Sequence, residues 1–162
     1  MEPIPATPNR TTATTAGGYR LQLTLVDLID LTLQTQHLRW NLPDDETALR
    51  SQLDDFDALV RAGSDTVAAR LRELGVAPDG RIGTASLDLL FEPLPTGPLE
   101  AAAAVAAFTH RLTQFGDRLR ESLDVVIGAD PESAPVLEAL DAEIVEWAAS
   151  FGIPTEPETD SA

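Results

Sequence analysis

Hydrophobic residues recur every three or four positions along most of the chain, a pattern typical of amphipathic helices. The first predicted helix runs from about Tyr19 to Trp40. At about 100° per residue one line of this helix carries Leu21, Leu25, Leu28, Thr32 and Arg39. This projection places Arg39 at the centre of the apolar face and turns Asp27, Asp30 and His37 towards water.

The same periodicity predicts three further helices, over residues 46–74, 99–128 and 130–151. Residues 76–98 form a long link between the second and third helices, and their middle part, 84–91, predicts a short helix. Two helices, a long link and two more helices are typical of an all-α, ferritin-like four-helix bundle with a crossover link.

Both ends of the sequence lack apolar periodicity. Residues 1–18 are rich in Thr, Pro and Gly and predict a flexible N-terminal tail. Residues 152–162 predict a flexible acidic C-terminal tail. The domain is therefore expected to cover residues 19–151.

Composition narrows the chemistry that this bundle can carry. Cysteine and lysine are absent, His37 and His110 are the two histidines, and the formal net charge is −16. Thiolate metal sites are excluded, and any metal site must depend on carboxylate oxygens. No apolar run reaches membrane length and no leader pattern opens the chain, so a cytoplasmic location is expected. We expect no direct DNA binding, because the tails supply no basic arm.

Two aspartates on the second helix carry the most specific signal. Asp54 and Asp65 share one helix face but lie 11 residues apart, which is roughly 16 Å along the axis. One chain cannot bring both carboxylates to one metal ion. Two copies of this helix, packed antiparallel about a two-fold axis, bring Asp54 of one copy near Asp65 of the other.

Three stretches, "LVDLIDLTLQTQHLRWN", "SDTVAARLRELGVAPDG" and "ADPESAPVLEAL", resemble the Dps family, the small ferritin-like proteins of starved bacteria. The resemblance covers about residues 19–151. It implies a hollow twelve-subunit shell that binds ferrous iron between two-fold-related subunits, oxidises it, usually with hydrogen peroxide, and stores the ferric product inside. Some members of the family also bind DNA, mostly through lysine-rich tails.

The family pattern at the iron site is two histidines, two aspartates and one glutamate. In this chain the five corresponding positions hold Arg39, Arg50, Asp54, Asp65 and Ala69. The match includes a one-residue deletion before the second helix, and a different placement of that deletion puts Ser51 at the second histidine position. Trp40, next to Arg39, is expected to pack at the subunit interface. Three of the five ligand positions are thus lost.

An arginine offers no lone pair to a metal and keeps its positive charge at any working pH. We therefore predict a degenerate ferroxidase centre. Arg39 and Arg50 form an ion-pair cluster with Asp54 and the partner's Asp65, the four charges sum to zero, and the site holds no metal. The alternative is that both arginines extend into solvent and the aspartates are surface charges.

Three functions stay open at this point. The chain forms an iron-storing shell whose cavity carboxylates, Asp57 among them, still collect iron; or it is an inactive structural or regulatory subunit that assembles with an active relative; or the scaffold binds another ligand elsewhere. Neither histidine is expected to restore a metal site. His37 is turned by about 160° from the line of Arg39, and His110 is expected either in solvent or at the edge of the core.

Overall fold

The computed structural model describes residues 9–83 and 93–152, with side chains described from Ala16 onward. It contains four long helices and no strand within these residues: α1 (Asn9–Asn41), α2 (Thr47–Glu73), α3 (Ala101–Ala129) and α4 (Ala134–Ser150). A short 3₁₀ helix, Pro131–Ser133, precedes α4. The predicted all-α, ferritin-like four-helix bundle is confirmed.

The two described ends of the link between α2 and α3 both contact α1, at points 15 residues apart. Near its start, Gln22 of α1 exchanges two hydrogen bonds with the backbone of Asp79, at 2.8 and 2.9 Å. Near its end, the Nε2 atom of His37 lies 2.8 Å from the carbonyl oxygen of Pro95. Because the link travels the length of α1, α2 and α3 point the same way. The predicted short helix at 84–91 lies outside the described residues.

Helix α1 begins at Asn9, so the flexible tail predicted for residues 1–18 is wrong for its second part. Gly17 and Gly18 are buried. A Cβ atom on Gly17 would lie 2.9 Å from the Cβ of Asp130, so glycine here permits close packing of helix against loop. The sequence alone presents the same two glycines as a helix breaker. Residues 1–8 lie outside the described part of the chain.

The buried stripe of α1 follows a seven-residue repeat. Leu21, Leu28, Thr35 and Leu42 are each at most 4% exposed. An ideal helix drifts by about 20° per heptad relative to this repeat, which is roughly 50° over the 18 residues from Leu21 to Arg39. The prediction that Arg39 lies at the centre of the apolar face is therefore wrong, and its side chain is 44% exposed.

A continuous hydrophobic core fills the bundle, and burial of this apolar surface is its main source of stability. One end holds a cluster of four aromatic rings with centroids 4.3 to 6.2 Å apart, formed by Phe56, Phe108, Trp147 and Phe151. The predicted site residues Arg39, Asp54 and Asp65 lie on the side of α1 and α2 that points away from this core and is exposed in the single chain. We call this side the outward face.

Candidate functional site

Arg39 and Asp54 meet on the outward face between α1 and α2. The Nε atom of Arg39 lies 2.7 Å from Oδ1 of Asp54, and the two side chains are 44% and 53% exposed. The pairing follows from the antiparallel packing of the two helices around a short turn. Two of the residues predicted to form the cluster are thus brought together within one chain.

Arg50 lies apart from this pair, at the turn between α1 and α2. Its Nη1 atom donates to the carbonyl of Arg39 at 2.9 Å, and its Nη2 atom donates to the carbonyl of Leu42 at 2.7 Å. Nη2 also forms an ion pair with Asp44 at 3.5 Å. The last carbonyls of a helix lack partners within the helix, so an arginine at the start of α2 satisfies them. Within one chain Arg50 does not contact Asp54.

Asp65 lies about three turns beyond Asp54 on α2, on the same outward face. It is exposed, and its carboxylate makes no ion pair or hydrogen bond with another described residue. It lines an open groove of about 390 Å³ together with side chains of both helices, Ile29, Thr32, Leu33, Arg61 and Ser64. Ala69, one turn further on, is also exposed and offers no ligand atom.

Large apolar side chains flank these polar groups. Trp40 is 71% exposed, and Leu33 at the groove is 43% exposed. Exposed aromatic and aliphatic side chains beside a groove are typical of a protein–protein contact surface. The outward face of α1 and α2 therefore combines apolar area with one ion pair and one carboxylate that lacks a partner among the described residues.

No protein-family profile matches the chain. The DNA protection during starvation protein 2 of Deinococcus radiodurans is 29% identical to it over 165 residues, which cover 93% of this chain and 68% of that protein. The structure of Dps92 from Deinococcus radiodurans superimposes with a TM-score of 0.82 at 26% identity and covers 86% of each chain. In sequence and in fold the chain is similar to the Dps proteins.

Other Dps structures have the same fold. A tetragonal form of Mycobacterium smegmatis Dps gives a TM-score of 0.83 at 22% identity, covering 93% of this chain and 92% of that one. DpsA14 from Streptomyces coelicolor gives 0.83 at 22% identity and covers 90% and 88%. At these identities the likeness concerns the fold alone, so the chemistry of the chain follows from its own side chains.

Few of the residues at the candidate site can bind iron. Of the five positions carried over from the family resemblance, Asp54 and Asp65 can supply oxygen ligands, and Asp54 is already paired with Arg39. No three His, Cys, Asp or Glu side chains gather into a metal-sized group within the described residues of one chain, a finding that does not concern a site between two chains. Arg39 adds a fixed positive charge beside Asp54, which opposes a dication.

Asp57, the predicted cavity carboxylate, is also paired. Its Oδ2 atom accepts a hydrogen bond from Nε of Arg61 at 2.7 Å, one helical turn along α2. This bond and the attraction of the carboxylate raise the pKa of the Arg61 guanidinium above its usual range. The Arg61 guanidinium therefore partly neutralises the negative charge that Asp57 could offer to an incoming cation.

Sequence reasoning missed a second set of charged residues, where α1 packs on α3. Asp27 and Asp30 were predicted to face water, but they are 3% and 4% exposed. Asp27 pairs with Arg118 at 3.2 Å, and Asp30 pairs with Arg111 at 3.6 Å. The prediction fails because α3 packs against this side of α1 and brings two arginines to the aspartates.

The spacing of these charges carried a usable signal. The two aspartates, three residues apart, share one face of α1, the two arginines, seven residues apart, share one face of α3, and both helices have heptad-like apolar patterns. Arg111 is 2% exposed. Burial lowers the pKa of its guanidinium from the usual value, while the charges of Asp30 and Asp27 act to raise it. These two pairs form the buried α1–α3 ion-pair ladder.

No helix within the described residues is long and apolar enough to cross a membrane.

His110 is exposed on α3, as predicted. His37 is half-buried by its contact with the link carbonyl, rather than facing water. Neither histidine lies among the residues of the α1–α2 site.

Proposed function

We propose that the protein is a subunit of a Dps-type shell that sequesters iron, and that its two-fold site is an arginine–carboxylate contact with little or no ferroxidase activity. The observation that carries the proposal is the 2.7 Å pair between Arg39 and Asp54, at a position where the family resemblance requires an imidazole ligand. Iron as cargo is supported by a neighbour of the same fold, the Dps of Microbacterium arborescens in its high iron form, with a TM-score of 0.80.

The geometry supports an antiparallel two-fold pairing of α2. Asp54 and Asp65 are separated by roughly 16 Å along one helix, a distance that such a pairing closes between two chains. The Nη atoms of Arg39 have no acceptor among the described residues, so they are available to the partner's Asp65. Trp40 and Leu33, both well exposed in the single chain, become buried in the same contact.

The predicted charge balance changes once Arg50 is placed at the turn. Each site now holds the cation of Arg39, the anion of Asp54 and the anion of the partner's Asp65, which leaves a net charge of −1 instead of zero. Arg39 can bridge both carboxylates, because a guanidinium carries five N–H donors in a planar fork. Two carboxylates that share the cation of Arg39, with no imidazole beside them, offer too few ligands to hold ferrous iron tightly.

Ferrous oxidation by the purified full-length chain tests this proposal. We expect the rate of ferrous oxidation with hydrogen peroxide to stay close to that of a buffer blank, while the iron that the peroxide does oxidise stays soluble together with the shell. Native mass spectrometry of the same sample reports bound metal and the number of subunits, expected to be twelve. Fast peroxide-driven oxidation, or iron held at Asp54 and Asp65, would contradict the proposed loss of activity.

A gain-of-function variant gives the sharper test. Arg39→His together with Ala69→Glu returns two ligands to the site while leaving Arg50 at the turn. We expect faster ferrous oxidation than in the wild-type chain, because each site then offers His, Glu and two Asp side chains. The control carries the same two changes away from the site, Arg72→His and Ala142→Glu, at exposed positions on α2 and α4. Equal rates in both variants would show that the site is not where the chemistry was lost.

The second candidate function is an inactive structural or regulatory subunit that assembles with an active relative. It is favoured by the same substitutions, since Arg39 and Ala69 remove ligands from both halves of a two-fold site. Mixing the chain with an active Dps subunit before native mass spectrometry distinguishes the two functions. Mixed shells whose oxidation rate falls with the share of this chain support the second function.

Direct DNA binding is not part of the proposal, although the curated relative is named for DNA protection. The net charge of −16 repels phosphate, and the sequence has no lysine. We expect no gel shift of linear DNA by the purified protein at about 50 mM salt. A shift that disappears as salt increases would overturn this expectation.

A further inference from the structure

A second ion pair, between Asp57 and Arg61, lies in the middle of the outward face of α2. The Nε atom of Arg61 lies 2.7 Å from Oδ2 of Asp57, and the side chains are 54% and 26% exposed, respectively. At about 100° per residue, this pair shares an arc of about 80° with Asp54 and Asp65. Arg61 also lines the groove that contains Asp65. The pair therefore lies inside the antiparallel contact proposed above, between the two aspartates that define it.

That contact fixes which residues of the two α2 helices face each other. Since 54 and 65 add up to 119, every facing pair has this sum, and Arg61 is level with Ala58 of the partner subunit. The partner's Asp57 is one residue away, about 1.5 Å along the axis. A register chosen for Asp54 and Asp65 thus also brings each Arg61 to an aspartate of the other chain, although these charges played no part in choosing it.

The same register brings the two copies of Arg61 close together. They are three residues out of level, about 4.5 Å along the axis, and like charges that meet across an interface are unfavourable. The Nη atoms of Arg61 make no hydrogen bond with another described residue. Because a carboxylate accepts several hydrogen bonds, each Asp57 can bind its own Arg61 and the partner's Arg61 at once.

We propose that Asp57 and Arg61 of two chains form a closed ring of four alternating charges about the two-fold axis, so that this surface of α2 binds a second copy of the chain. The ring rests on the antiparallel contact of the proposed function. Its charges sum to zero, in contrast to the net charge of −1 at each neighbouring Arg39 site. Sliding one helix by three residues makes the two copies of Arg61 face each other directly, so the ring also selects the register of the contact.

Opposite charge reversals in the full-length chain, followed by mixing, test the ring. Arg61→Glu leaves four negative charges at the axis and Asp57→Arg leaves four positive ones, so each variant alone should associate at least about tenfold more weakly than the wild-type chain. In a mixed pair each acid faces an arginine of the other chain. An equimolar mixture should therefore recover association through one-to-one pairs, which native mass spectrometry at falling protein concentration distinguishes by mass.

Recovery on mixing has one explanation, because the charges within each variant chain still repel. The matched control makes the same reversals in the exposed α3 pair of Asp117 and Arg120, which are 3.4 Å apart, and should leave association unchanged. Urea denaturation shows whether each variant is folded. The neutral variant Arg61→Gln should also weaken association, and it replaces a reversal that does not fold.

Two results would overturn the ring: reversals that leave association unchanged, or a mixture that does not recover. Arg39→Met separates this failure from failure of the contact itself. If Arg39→Met weakens association and the reversals do not, the two-fold contact stands without the ring. If none of these variants weakens association, the antiparallel contact is wrong as well. The rate of ferrous oxidation does not enter this test, so fast oxidation would contradict the proposed loss of activity and leave the ring in place.

Discussion

Two arginine–aspartate arrangements flank α1, and they differ mainly in burial. On the α2 side, Arg39 and Asp54 pair at 2.7 Å with side chains 44% and 53% exposed. On the α3 side, Arg111 and Asp30 pair at 3.6 Å with side chains 2% and 4% exposed. The tighter pair is the wetter one, so distance alone does not indicate which contributes more.

This difference in burial determines how much each pair contributes to stability. An exposed pair contributes about 0–1 kcal/mol, because water and salt screen it and two long side chains lose freedom. A buried pair gains little over an apolar replacement, but breaking it leaves an uncompensated charge. The ladder therefore fixes how α1 and α3 align, whereas the Arg39 pair becomes important when a second subunit covers it.

The largest effect is expected from Arg111→Met, which leaves Asp30 charged in the core. We expect a loss of about 3–5 kcal/mol in the free energy of unfolding, measured by urea denaturation. Removing both charges, in Asp30→Asn with Arg111→Met, should recover at least half of that loss. The amide oxygen introduced at position 30 can still accept the hydrogen bond that Gln34 donates to Asp30 at 3.2 Å.

The control for this prediction is Arg72→Met, at an exposed arginine on α2, which should change the free energy of unfolding little. Equal losses in the single and double variants would show that the charge of Asp30 is not the cause.

An intermediate effect is expected from Arg50→Met at the turn between α1 and α2. The carbonyls of Arg39 and Leu42 lose a charged donor, which should cost about 1.5–3 kcal/mol by urea denaturation. Arg50→Lys should recover less than half of this loss, because an ammonium group cannot reach both carbonyls in a planar fork. Full recovery by lysine would indicate that charge, and not the carbonyl contacts, holds the turn.

The fold could be predicted from the sequence because helix periodicity and the long link are local patterns. What failed was the rotation of α1 over five turns. A straight 100° projection accumulates error against a seven-residue repeat, so it misplaced Arg39 by roughly 50°. It also assigned Asp27 and Asp30 to water, because nothing local to α1 shows that α3 brings two arginines to the same side.

The site could be predicted only in part. The spacing of Asp54 and Asp65 and the resemblance at Arg39 grouped these residues into one candidate site, and the structure pairs Arg39 with Asp54. The role of Arg50 was missed, because the turn carbonyls that it binds depend on the path of the backbone and not on residue type. The meeting of Arg39 with the partner's Asp65 stays a prediction.

A smaller effect on folding, but a clear effect on assembly, is expected from Arg39→Met. In the single chain the pair with Asp54 is exposed, so unfolding should change by less than about 1 kcal/mol. If the partner's Asp65 binds the same guanidinium, the variant leaves two carboxylates facing each other and subunit association weakens. Native mass spectrometry at falling protein concentration measures this, with Arg72→Met as the control. Association unchanged by Arg39→Met would place the ion pair outside the interface.

The smallest effect concerns salt and asks whether assembly converts the exposed pair into a buried one. Raising salt from about 0.1 M to about 1 M shortens the screening length from about 10 Å to about 3 Å. Salt should favour association of both the wild-type chain and Arg39→Met by screening their acidic surfaces. The ratio between the association constants of the two proteins should change by less than about twofold between the two salt concentrations, because a pair covered by the partner subunit is poorly screened. Sedimentation at both salt concentrations measures this ratio. If the two proteins associate equally at the higher concentration, Arg39 and Asp54 are as exposed to water in the shell as in the single chain.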